Sequence, residues 1–132
     1  MYKKVEMDMM PAHLSLYAFF AMQKKNCSKE VNNCGSCIDC FLNIHSIYKN
    51  QQEINDLYKK ISGSRPLDEM SDTGITGLSS DNFNTYKAKI KANLLGRFGT
   101  YALKDLEIAS KGTRPNTRYG IMIDRNKIEI VL

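Results

Sequence analysis

Four cysteines, Cys27, Cys34, Cys37 and Cys40, lie within fourteen residues, with six, two and two residues between them. Crowding of this kind, in a chain that shows no secretory leader, points to a metal rather than to disulfides. Zinc is the leading reading. Four thiolates complete its tetrahedron and leave no position open for a substrate, which makes the site structural and its binding free energy part of the folding free energy. The consecutive C-x2-C steps of Cys34, Cys37 and Cys40 also occur in iron–sulfur proteins, so a cluster with Cys27 as the fourth ligand is the alternative, and ordinary reduced thiols are the plain reading. His45, five residues past Cys40, is the nearest replacement ligand, although a lone histidine on a helix is more often structural. His13 stands at a helix start, and no motif in the sequence pairs it with another ligand.

Catalytic motifs do not accompany the cysteines. The chain has no Gly-x-Ser-x-Gly turn, no phosphate loop, no paired metal-binding histidines and no recognisable carboxylate pair. The reading therefore leans away from an enzyme. A small ribonuclease assembled in space from His13 or His45 with the abundant lysines is kept as a third possibility.

The charge points elsewhere. The formal net charge of the 132 residues is +5, but residues 83–127 hold ten Lys and Arg against three acids, a local charge of +7, and the remainder is net acidic. Such segregation suits a surface that faces phosphate; its plain counterpart is a solvated basic face. The candidate phosphate contacts are Lys87, Lys91, Arg97, Lys111, Arg114 and Arg118, with Asn84 placed to approach a base edge. The expected partner is nucleic acid, DNA in preference to RNA.

These residues need elements to hold them. At this length one domain is expected, and 42% apolar with 25% charged residues is ordinary globular composition. The longest apolar run, residues 14–22, is shorter than the roughly 20 residues that cross a bilayer, and the lysines and acids ahead of it do not make a leader. A cytoplasmic protein without a membrane partner is expected. Apolar spacing and Pro11 predict a helix over 11–25, and the cysteine cluster at 27–40 reads as a loop. Helical periodicity resumes from Phe41 to Ile61 as one long or two short helices, giving a helical subregion over 11–62. The Gly-, Ser- and Asp-rich stretch 63–80 reads as a flexible linker. Beyond it, Ser79 or Ser80 caps a helix running to about Arg97, with Phe83, Tyr86, Ile90 and Leu94 as its buried stripe, and Gly96 and Gly99 stop it. Leu106 to Ala109 alternates as a strand, 111–116 is a turn, 117–123 a return strand and 127–132 a last strand.

Helix, strand, basic turn and strand in this order form the profile of a winged helix over residues 81–132. The run at residues 90–94 (IKANL), the hairpin at 112–121 (GTRPNTRYGI) and the strand at 128–130 (IEI) resemble the C-terminal region of CRISPR-associated proteins that carry a CARF domain, a nucleotide-sensing Rossmann-like unit. The aromatic helix at 16–20 (LYAFF) and the helix end at 58–63 (YKKISG) fit the same likeness. The resemblance implies an accessory or effector part of an antiviral signalling protein. The sensor domain has no counterpart in these residues, so no ligand or ring-nuclease position carries over. The sequence thus predicts an α+β domain, N-terminal helices with a cysteine-held metal packed on a winged-helix-like element, that binds nucleic acid. Its rival is a protein-interaction or dimerisation module, meeting a CARF-type sensor or a second copy through exposed aromatics near Tyr17 and Phe20.

Overall fold

The computed structural model describes residues 11–26, 41–62, 75, 77–113 and 116–123. Cys27, Cys34, Cys37, Cys40, Arg114 and the strand expected at 127–132 lie outside them.

The chain is α+β: helices around one hydrophobic core, with a three-stranded antiparallel sheet against it. Helix α1, Pro11–Lys25, opens on a proline, whose missing N–H is not needed in a first turn. It is apolar on nearly every side. Ala12, Leu16, Tyr17, Ala18, Phe19 and Phe20 are all buried, so the helix is central rather than peripheral. The buried Ser15 hydroxyl donates to the carbonyl of Pro11 at 2.6 Å. The aromatics expected to form an outer contact surface, Tyr17 and Phe20, are core residues.

The helical run expected from Phe41 is divided. Leu42–Asn43 is a short strand, β1; Ile44–Lys49 is α2 and Gln51–Ser62 is α3. Two asparagines account for the division. The Asn43 side chain accepts from the Ser46 N–H at 2.8 Å and caps α2, and Asn50 closes α2 before α3 begins. In α3, Ile54, Leu57 and Tyr58 are buried at helical spacing against α1. The Gln51 amide donates to the carbonyl of Ile75 at 2.7 Å and accepts from the Leu78 N–H at 2.9 Å. Ile75 is fully buried and Leu78 half-buried against the core, so these two residues of the 63–80 stretch pack on it.

Helix α4, Ser80–Leu106, is capped by Ser79, whose hydroxyl accepts from the Asn82 N–H at 3.2 Å, and its buried stripe is Phe83, Tyr86, Ile90 and Leu94. Gly96 does not stop it. The break comes at Gly99, with φ 83° and ψ 174°, a region open to glycine alone, and the chain resumes as helix over 100–106. Leu106 is therefore helical rather than the start of a strand. Strand β2 is Ile108–Lys111 and β3 is Arg118–Ile121, narrower than the expected 117–123. The strand order is β1-β3-β2, with Ile108 opposite Ile121, Lys111 opposite Arg118 and Leu42 opposite Tyr119. The Tyr17 hydroxyl donates to the carbonyl of Leu106 at 2.6 Å and fixes the end of α4, where β2 begins, to α1; burial pushes this phenol well above its ordinary pKa.

Gly120 in β3 is where the sheet meets its cover. A methyl group there would collide with the ring of Phe41, itself buried. Gly120→Ala is expected to destabilise the fold by about 1–3 kcal/mol in urea unfolding, as overpacking does. Combined with Phe41→Leu, the loss should be smaller than the sum of the two single changes. Strict additivity would show that the two positions do not meet.

Candidate nucleic-acid interface

Lys87 and Lys91 sit one turn apart on α4 and share a face with Asn84, at helical spacings of three and four. The same helix buries Phe83, whose ring lies 4.9 Å from that of Tyr119 on β3. Tyr119 is in turn covered by Lys87, with Nζ 5.1 Å from the ring centroid, and Lys87 Nζ is 3.5 Å from the Ser110 hydroxyl. Through these contacts α4 and the hairpin present one surface.

Between them is a hollow of about 210 Å3 lined by Lys87, Ala88, Lys91, Glu107, Ile108 and Ser110. Its electrostatics are uneven. Partial burial pushes the Lys87 ammonium below the ordinary lysine value, Glu107 opposing the shift and Lys91 adding to it. A lowered pKa means that folding disfavours the charged form: Lys87 detracts from stability at neutral pH, and that penalty fades as pH rises from the lowered value towards 10.5. An anion in the hollow restores what burial removes. Glu107 holds that place in part, its carboxylate 3.9 Å from Lys91 Nζ. With Lys91 59% and Glu107 27% exposed, the pair contributes about 0–1 kcal/mol.

The hairpin supplies the second half. Lys111 and Arg118 face each other across β2 and β3, both exposed, and neither has an acidic partner among the described residues. Like charges directly opposite on a sheet oppose its pairing. Of the other positions expected from the sequence, Asn84 is exposed on α4 outside the hollow, and Arg97 is exposed six residues past Lys91, its guanidinium 5.7 Å from the Phe98 ring centroid. The six residues amount to about 9 Å along a helix axis, so Arg97 flanks the hollow rather than lining it. Arg114 and the four cysteines are outside the described residues.

The histidines are not brought together as a catalytic pair: His13 is buried on α1, edge-on to Tyr86 at 5.6 Å, and His45 is exposed on α2 beside Tyr48. Among the described residues no group of three or more His, Cys, Asp and Glu is placed to hold a metal, and no helix is long and apolar enough to cross a membrane. Glu107, Ser110 and Tyr119, which position the lysines, carry no signal in the spacing. They become neighbours of Lys87 only when β2 and β3 fold back on α4. No known protein family, curated protein or solved structure matches the chain, so the likeness to CARF-linked proteins stands on the quoted residues alone.

Glu107→Gln separates the roles of this carboxylate. Removing a charge that competes with phosphate should tighten binding to duplex DNA at low salt roughly fivefold, the equivalent of about 1 kcal/mol between charges 4 Å apart in water, while the thermal midpoint stays nearly unchanged. Weaker binding would mean that Glu107 holds the lysines in place for the ligand.

Proposed function

We propose that this chain is a nucleic-acid-binding module of winged-helix-like architecture, with α4 entering a groove and the β2–β3 hairpin lying along the adjacent backbone. The supporting features are the order of helix, strand, helices and hairpin, the strand order β1-β3-β2, and the concentration of positive charge on the last two elements. One observation carries the reading. Lys111 and Arg118 oppose each other in the hairpin without a described counter-charge, an arrangement that works against the hairpin and that a polyanion would relieve. A groove-entering helix favours DNA over RNA, whose paired major groove is too narrow to read.

Two further parts belong to this reading. The hairpin's likeness to CARF-linked proteins supports a role as an accessory or effector part of an antiviral signalling protein. Cys27, Cys34, Cys37 and Cys40 supply the donor set of a structural zinc site, thiolates in number and type for a closed tetrahedron. The chain on both sides of that segment is anchored: Lys24 is buried with Nζ 6.0 Å from the Phe41 ring centroid, and Phe41 is buried against the sheet. A metal bound between these anchors would tie α1 to β1. Purified protein is expected to carry about one equivalent of zinc and to lose thermal stability on chelation. Less than about a tenth of an equivalent of zinc and iron together would rule the site out.

The function is tested by neutralising the hairpin. Lys111→Gln with Arg118→Gln should weaken duplex DNA binding about tenfold or more at low salt, with the thermal midpoint unchanged or raised, because two mutually repelling charges have been removed. Lys59→Gln with Lys60→Gln, exposed on α3, serves as the control and should leave affinity nearly unchanged. Equal affinity in the hairpin variant and wild type would remove the interface from this surface.

A further inference from the structure

Every described Phe and Tyr but one is buried or half-buried, and the exception, Tyr101, is 86% exposed. A lone exposed ring is ordinary on a protein surface, but the surroundings of this one are specific. Tyr101 lies in the short helical segment 100–106, which the glycine-only conformation of Gly99 separates from the rest of α4. The far end of that segment is fixed: Leu103 is buried, and the carbonyl of Leu106 accepts from the Tyr17 hydroxyl of the central helix. The ring is thus carried on an anchored element. Lys104 Nζ stands 4.8 Å from its centroid, with Arg97 exposed just before the break and Asp105, also exposed, directly after Lys104.

An exposed aromatic face with a cation beside it has the chemistry of a stacking site for a base, since every nucleobase offers a π-face and its neighbouring phosphates offer the counter-charge. In a paired duplex those faces are occupied by neighbouring bases. We infer that Tyr101 is a stacking platform for an unpaired nucleobase, with Lys104 beside the ring to take a neighbouring phosphate. The inference rests on the nucleic-acid reading above and adds a preference for single-stranded or extrahelical bases next to a duplex.

The test uses the full chain and two fluorescent probes, a fully paired DNA duplex and the same duplex with a single-stranded extension containing 2-aminopurine. Wild type should bind the extended probe more tightly and quench its 2-aminopurine. Tyr101→Ala should lose about fivefold to a hundredfold of affinity for the extended probe and the quench with it, with little change for the paired duplex. Tyr101→Phe should retain both, since stacking needs the ring and not the hydroxyl. The salt slope of Tyr101→Ala should equal that of wild type, because stacking releases no counterion. If wild type binds duplex and Tyr101→Ala binds each probe as tightly as wild type does, the stacking site is overturned and the nucleic-acid reading stands. If wild type binds neither probe at low salt, both fall. Dimerisation that Tyr101→Ala abolishes, without effect on probe binding, would assign the patch to a second copy and overturn the inference.

Discussion

A helix that is apolar on nearly all sides has to be surrounded, and α1 is such a helix. Its burial organises the rest. On one side α3 lays Ile54, Leu57 and Tyr58 against it; on others it meets α4 and β3. A run of edge-on ring contacts then leads outward from it: Phe19 to Phe20 at 5.4 Å, Phe20 to Phe83 on α4 at 6.1 Å, and Phe83 to Tyr119 on β3 at 4.9 Å. Each such pair contributes about 0.5–1.5 kcal/mol beyond its burial, and together they fix where α4 stands relative to the hairpin. Lys87 closes the series over the outer face of Tyr119. The position of a surface charge is therefore set by packing that begins in the centre of the molecule.

That dependence explains why the basic surface includes features that work against stability. Lys87 is partly desolvated, which lowers its pKa, and Lys111 is set opposite Arg118. Arrangements selected for stability alone would separate these charges or pair them with acids. Among the described residues Glu107 does so in part, 3.9 Å from Lys91 in a largely solvated pair and offsetting some of the cost at Lys87. The unneutralised remainder is concentrated on one helix face and one hairpin, the geometry that an extended polyanion can meet with several phosphates at once.

The parts of this arrangement that are local in sequence were legible in it. Helix α1, the Ser79 cap and the stripe Phe83, Tyr86, Ile90 and Leu94 follow from periodicity and side-chain chemistry within a few residues. The hairpin followed from its turn residues. What depends on distant partners was not legible. Strand β1 is two residues long and exists only because Leu42 and Asn43 meet Tyr119 and Arg118. The resumption of helix after Gly99 placed Leu106 in a helix, although its alternation with Ile108 reads as a strand, because its carbonyl is held by Tyr17 from the other end of the chain. Tyr17, Phe20 and Tyr101 look alike as aromatic residues in helical sequence. Burial of the first two and exposure of the third depend on what surrounds α1, and composition does not encode that. For the site, the lysines were legible as charge, whereas Glu107, Ser110 and Tyr119 are assembled around them only by the tertiary fold.

The central claim is that a described surface of four cations, Lys87, Lys91, Lys111 and Arg118, meets nucleic acid through phosphate. The most direct measurement is the affinity of the unmodified protein for duplex DNA across a salt series. Four phosphate contacts predict that log K falls against log salt with a slope of roughly −3 to −4. Binding with a slope near zero, or no binding at about 50 mM salt, would contradict the account and leave the basic face as a solvated one.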